Sequence, residues 1–392
     1  MLRPSFDEAV TTKAYDMIVQ HIRDHWDDRH VIVEGLMAVQ QCIDQKGGES
    51  DAKCLGVSGA CDVVLDVMAA NMQSEEIQFY GTQAFRFLAT SSRNVLRFEA
   101  KRGLNQLTQS LVYYVAVPRV VREVLWALAT LLGASEPSGL AFLEAMDGTL
   151  LVLKTLHRHT DNLDIQLHGC QSLLSMATRF KSRFREDAIA STGALMKGLL
   201  VRQSLPRSLV VVCLKCVTAI ADKDSATGLF ADGSWFRFVF ITYIDDEIVV
   251  LEVVHLYILL CHIAPSVALT LSSGGGLDCL HEALVTYHNH RHEATVYELL
   301  RLVRHVFALS ATHQDVVRVA LSCQTTYKTH ARLQIEVCCI VRLALPWTAG
   351  SLWTTQIEVL NQLMQLHQTD AILRRESQYT KTAVQAAVGL LG

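Results

Sequence analysis

Apolar residues recur at helical spacing along nearly the whole chain, in two alternating kinds of run. Runs such as ACDVVLDVMA after Gly59 and LNQLTQSLVYY after Gly103 carry apolar positions three and four apart, the pattern of an amphipathic helix. Runs such as VVREVLWALATLL from Val120 and VVLEVVHLYILLCHIA, ending at Ala264, are apolar on more than one side and predict helices covered by several neighbours. Polar stretches between them, AANMQSEE at Ala69 to Glu76 and HRHTDN at His157 to Asn162, read as turns.

The alternation has a fixed period. IQFYGTQAFRFLATS, from Ile77, matches IQLHGCQSLLSMATR, from Ile165, at a distance of 88 residues, or two units of 44. The more apolar runs end at Ala89, Leu132, Ala177, Ala221, Ala264 and Ala308, spaced by 43, 45, 44, 43 and 44 residues. A second ladder, Gly59, Gly103, Gly148, Gly193, Gly233 and Gly276, is spaced by 44, 45, 45, 40 and 43. Each Gly precedes an amphipathic run, and glycine's tolerance of positive φ and close backbone approach suits a sharp join between helices. One such unit cannot bury its own apolar faces, so consecutive units must stack.

These units resemble the armadillo repeat: a Gly-initiated helix, a short polar turn and a Leu-rich third helix. Thr192-Gly193-Ala194-Leu195 and Arg122-Glu123-Val124-Leu125-Trp126-Ala127-Leu128 carry the likeness most closely, and the register holds from Val31 to Ala308. The resemblance implies an all-α, right-handed solenoid of about seven to nine armadillo- or HEAT-like repeats that binds other proteins. A single array over residues 1–392 is expected, with a capping helix within 1–30, regular repeats over 31–308 and less regular repeats over 309–392. Ser5-Phe6-Asp7-Glu8 reads as a capping box opening an amphipathic stretch to about Trp26, and a helix from Lys381 to Leu391 is expected to close the stack.

Composition narrows the class. Half the residues are hydrophobic, 19% are charged, and Pro (6) and Gly (21) are sparse, so no disordered linker is expected. A net charge of −4 supplies no global field for nucleic acid or an anionic membrane. The 11 cysteines lie in apolar runs and read as buried small hydrophobes in a reducing compartment. The opening MLRPSFDEAV lacks an apolar targeting segment. A cytoplasmic location is therefore expected, the cytoskeleton or a cilium being its more specific form. Glu252, His255, His262 and Pro265 interrupt the most apolar stretch, Ile248 to Leu271, which reads as a buried helix and not a membrane span.

Candidate chemistry is thin. His288, His290 and His292 alternate in a predicted turn, and an extended tripeptide offers at most two of them on one face to a metal. Cys213 and Cys216 form a CxxC inside an apolar run, without a second pair at zinc-like spacing, and Cys338-Cys339 has the same core character. Ser272-Ser273-Gly274-Gly275-Gly276 lacks the Lys-Ser/Thr of a phosphate loop and reads as an extended turn. No hydrolase, metalloprotease, dinucleotide or kinase motif occurs, so no catalytic residue, metal or cofactor is expected.

A partner surface is the better expectation, because stacked repeats present long faces. The resemblance places the third helices along the concave face. Aligned on Phe85, Leu128, Leu173, Val217 and Leu260, they put Gln83, Trp126, Gln171, Lys215 and Ile258 two positions earlier and Phe87, Thr130, Ser175, Ala219 and His262 two later. Residues four apart share a helix face. Gln83, Trp126, Thr130, Gln171, Ser175, Lys215 and His262 are accordingly the candidate partner-binding residues, with Trp126 as anchor. Importin-α-like and catenin-like members carry a recurring Asn at the later position; its absence here disfavours binding of nuclear signals. A basic loop, Arg179, Lys181, Arg183 and Arg185, either meets an acidic partner or is a solvated turn. The expected role is an adaptor joining other proteins in a larger assembly, with a transport receptor and an enzyme or metal protein as rivals.

Overall fold

The computed structural model describes residues 6–44, 48–222, 234–309, 313–347, 353 and 356–389. Among them all regular structure is helical: 23 α-helices and two short 3-10 turns, with no strand. The chain forms two compact units, Met1–Thr192 and Gly193–Gly392.

In the first unit helices come in threes: Phe6–Thr11, Tyr15–Asp24 and Arg29–Asp44; Gly48–Val57, Ala60–Ala70 and Glu75–Leu88; Ser92–Ala100, Gly103–Tyr113 and Pro118–Ala134; Glu136–Met146, Gly148–Arg158 and Leu163–Phe180. Each third helix packs on the next third helix, and Phe85, Leu128 and Leu173 are fully buried there. The predicted turns set the helix starts. Ser74 accepts a hydrogen bond from the Ile77 N–H at 3.4 Å, and Asn162 one from the Ile165 N–H at 3.1 Å. Side-chain caps of this kind contribute about 1 kcal/mol each.

A buried glutamine fastens each of the two matching third helices to the helix before it. Gln78 donates Nε2 to the carbonyls of Met68 (2.6 Å) and Asn71 (3.1 Å), and Gln166 donates to those of Leu156 (2.8 Å) and His159 (2.9 Å). The bonds satisfy carbonyls at a helix end, which has no intrahelical partner for them. One turn later Gly81 and Gly169 let the helices approach: a Cβ would lie 2.5 Å from the Met68 side chain and 2.3 Å from that of Leu156.

The second unit keeps the third helices, Arg207–Ile220, Glu247–Ile263, Glu293–Phe307, Ala331–Ala344 and Ala371–Gly389, again packed in series. The helices preceding the last four are Ser234–Thr242, Gly276–Asn289, Gln314–Thr326 and Gln356–Leu366. The glutamine latch reappears: Gln334 donates to the carbonyls of Gln324 (3.0 Å) and Tyr327 (2.7 Å). An aromatic residue near the end of the second helix also ties neighbouring turns together in both units. Tyr114 donates to Met72 O (2.9 Å), His159 to Val115 O (2.7 Å), Tyr243 to Leu205 O (3.0 Å), Tyr287 to Ile244 O (2.8 Å) and His367 to Lys328 O (2.6 Å).

Three expectations change in detail. The glycine ladder splits its two tasks: Gly59 itself has positive φ (92°), but at the next joins Arg102 (58°), Asp147 (47°) and Gly275 (77°) take the left-handed conformation. Gly103, Gly148 and Gly276 follow them and serve close packing instead, since a Cβ on Gly148 would meet the Phe142 ring at 2.4 Å. Gly193 makes no turn, because the helix Glu186–Leu200 runs straight through it; Gly233 lies outside the described residues. The opening amphipathic stretch is two helices broken at Lys13 (φ 54°), and the closing helix begins ten residues early, at Ala371; Ser5, Leu390 and Leu391 lie outside the described residues.

Candidate functional site

Counting from the first residue of each third helix, the sixth residue is an acid in most of them: Glu34, Glu123, Glu252, Glu298, Glu336 and Glu376. The ninth or twelfth residue of the preceding third helix reaches across to it. Arg86 lies 3.7 Å from Glu123, Lys215 3.3 Å from Glu252, His255 3.7 Å from Glu298, Arg304 3.1 Å from Glu336 and Arg342 2.6 Å from Glu376. Where the sixth residue is His168, the rung is a stack: the Trp126 ring lies 4.5 Å from the imidazole at 10°. Neighbouring third helices are thus joined by a polar ladder along the row expected to meet a partner.

Several rungs are desolvated. Glu123 is 2% exposed and accepts from Arg122 Nε (3.0 Å) and Nη2 (2.8 Å) as well as facing Arg86. Burial raises the Glu336 carboxyl above its ordinary value, against the pull of Arg304 and Arg301. Burial lowers His168, against the hydrogen bond its Nδ1–H donates to Gln171 Oε1 at 2.9 Å. A buried ion pair of this kind is retained less for net stability than for the large cost of losing one member.

The candidate residues sort accordingly. Trp126 is 37% exposed, but Arg86 covers one face at 3.6 Å and His168 the other, so only its edge is open. Lys215 and Gln171 are engaged as described, while Gln83 and Ser175 are half-buried. Thr130 returns its hydroxyl to Trp126 O at 3.0 Å. In the Glu247–Ile263 helix the ninth residue is His255, not Ile258, which is buried; His262 sits beyond the row, with its ring 4.4 Å from that of His305. The register from Leu260 is three residues late there.

The basic loop is surrounded by acceptors. Arg179 donates to Leu132 O (3.3 Å), Arg183 pairs with Glu144 (3.3 Å), Arg185 pairs with Asp187 (2.9 Å) and faces Asp147 (3.9 Å), and Lys181 is exposed. The histidine turn disperses its members: His288 bonds Ser322 (3.1 Å) and Cys323 (3.5 Å), His292 pairs with Glu247 (3.1 Å), and His290 is exposed. Cys213 and Cys216 are both buried in one helix. One surface escaped the sequence reading: a 370 Å³ depression lined by Met72, Thr108, Gln109, Val112 and Tyr113, the last two 57% exposed. Its only sequence signal was apolar residues at the end of an amphipathic run.

Helices stacked in a recurring register, with successive third helices in contact, place each unit in the α-solenoid class. The chain is similar in fold to a solved structure described as "A conserved phosphorylation switch controls the interaction between cadherin and beta-catenin in vitro and in vivo", with a TM-score of 0.64, 13% identity, and coverage of 95% of this chain and 72% of that one. β-Catenin is an armadillo-repeat protein, so the likeness is consistent with an armadillo-type solenoid. An engineered protein also matches, at 13% identity and a TM-score of 0.38, over 95% of this chain and 97% of that one. No protein-family model matches the chain, and no curated protein matches it. No helix among the described residues is long and apolar enough to cross a membrane.

Proposed function

We propose that this chain is a non-enzymatic scaffold that binds other proteins along its third helices, within a multi-protein assembly. The observation that carries this reading is the ladder. Its charges neutralise one another between repeats, which leaves a surface of amides, hydroxyls and the Trp126 edge between the rungs, suited to a neutral or amphipathic protein segment. The likeness in fold to β-catenin, whose interaction with cadherin is described, supports a protein partner. We extend the proposal to a right-handed superhelix of seven to nine repeats and to a cytoplasmic setting, with a cytoskeletal or axonemal complex as its specific form.

The test is proximity labelling from the tagged protein in its native cell, repeated with Ser175→Arg, which places a long cation beside Gly133 of the neighbouring third helix, at a residue outside the rungs. A defined set of protein neighbours, lost in the variant while circular dichroism is unchanged, supports the reading. Neighbours indifferent to the variant would move the binding face elsewhere. The transport-receptor alternative is disfavoured by the thirteenth-residue row, Phe87, Thr130, Ser175, Ala219, Leu259, His305 and Leu343, which holds no Asn amide to grip an extended peptide. Micromolar binding of a basic import peptide would reinstate it.

A further inference from the structure

One seam differs from the others. Between the Glu247–Ile263 and Glu293–Phe307 helices, three contacts involve histidine, spread from one end of the helix pair to the other, beside a hydrogen bond from the Thr295 hydroxyl to Glu247. At the start, His292 lies 3.1 Å from Glu247; midway, His255 lies 3.7 Å from Glu298; at the end, the His262 and His305 rings are 4.4 Å apart. The other rungs of this unit are closed by Lys215, Arg304 and Arg342, an ammonium and two guanidiniums in place of an imidazole.

We propose that this seam is a pH-sensitive hinge, in which protonation draws the leading halves of the two helices together and pushes their trailing halves apart. The charges around each histidine set the direction. His292 faces Glu247, which also accepts from the Thr295 hydroxyl, with the Tyr287 ring at 5.6 Å and His290 at 6.4 Å. His255 faces Glu298, shared with Arg301 at 2.7 Å; Glu252 on its own helix is occupied by Lys215. A proton on His292 turns a hydrogen bond into a charge-assisted pair, and one on His255 sets a cation 3.7 Å from the Glu298 carboxylate.

The trailing end has the opposite sign. His305 faces His262 from the neighbouring helix and Arg301 and Arg304 from its own, while Glu336, across the next seam, pairs with Arg304. Its Nε2 is buried without an acceptor. Burial first, and then these cations, hold the His305 imidazole down at about 4. The Ser266–Ser273 helix packed alongside, SVALTLSS, supplies no carboxylate to relieve it. Protonation here sets like charges against each other in a site that cannot solvate them.

Hydrogen–deuterium exchange of the full chain at pH 7.5 and at about pH 4, where His305 takes up its proton, scaled for intrinsic exchange, tests the hinge. Peptides covering 247–255 and 293–299 should slow on acidification by about two- to fivefold, the range of a partly exposed ion pair, while 256–263 and 300–307 should speed up. His262→Gln, at an exposed position, should abolish the trailing-half response alone, and His255→Gln combined with His292→Gln the leading-half response alone. Both halves moving together, or a His262→Gln protein that responds like the parent, would overturn the proposal.

Discussion

At the scale of single residues, the buried glutamines hold more of the fold than their number suggests. Gln78 satisfies two helix-end carbonyls, and its Oε1 accepts from Ser110 at 2.6 Å on the next repeat, so one amide joins three helices. Gln78→Met keeps the volume but strands the Met68 carbonyl where water cannot reach, while Asn71 O keeps the Ser74 N–H and the Ser110 hydroxyl keeps Gln106 O. The expected cost is about 1–3 kcal/mol, read as a lower urea midpoint at unchanged slope. Gly169→Ala should cost about 1–3 kcal/mol by forcing the Leu156 side chain from its rotamer. Trp126 belongs to the same class. With Arg86 and His168 on its two faces, Trp126→Ala should weaken the seam between its neighbours before it affects any partner, a drop in thermal midpoint separating the two effects.

At the scale of helices and joins, the left-handed residue before the second helix is the informative position. Arg102 holds φ 58° without a side-chain cap bond, a conformation that disfavours any residue with a Cβ. Arg102→Gly should therefore stabilise the chain by up to about 1 kcal/mol, the relief being partly offset by the greater freedom of unfolded glycine; a loss of stability would show that the Arg102 side chain contributes more than its backbone strain costs. That join also marks where sequence reading succeeds and fails. The period was legible because every repeat must present the same apolar faces to its neighbours, so Ile77 and Ile165 recur in one environment. The residue carrying positive φ was not, because Arg, Asp and Gly all serve and only glycine advertises itself. The ladder rungs were hidden for a related reason. Glutamate recurs at the sixth position, but its partner alternates between the ninth and twelfth residues of the preceding helix and among Arg, Lys and His, and in one repeat His168 replaces the glutamate and stacks on Trp126. A register slip of three residues in one helix then sufficed to replace His255 by Ile258.

At the scale of the whole chain, buried imidazoles in both units set how stability responds to acid. Burial lowers His168 in the first unit and His288 and His305 in the second, His305 to about 4. In the unfolded chain each takes up a proton near pH 6.5, while the folded protein resists, so the unfolded state binds more protons and stability rises with pH through this range. Acidification should therefore erode stability from about pH 6.5 downward, and the His305 share should be complete near pH 4, where the folded protein is protonated as well. Discounted for its partial exposure, that share is on the order of 2 kcal/mol. Asp51 and Glu247 do not produce the same slope: Lys13 and Tyr15 overcome the effect of burial on the first, and Thr295 and His292 hold the second down, so both stay ionised until the pH falls below the ordinary carboxylate range. Denaturation midpoints at pH 7.5, 6.5, 5.5 and 4.5 separate the contributions. His305→Phe should flatten the loss between pH 6.5 and 4.5 while leaving any steeper fall below pH 4 in place. An unchanged slope in that variant would place the acid sensitivity in carboxylates and not in the imidazole beside His262.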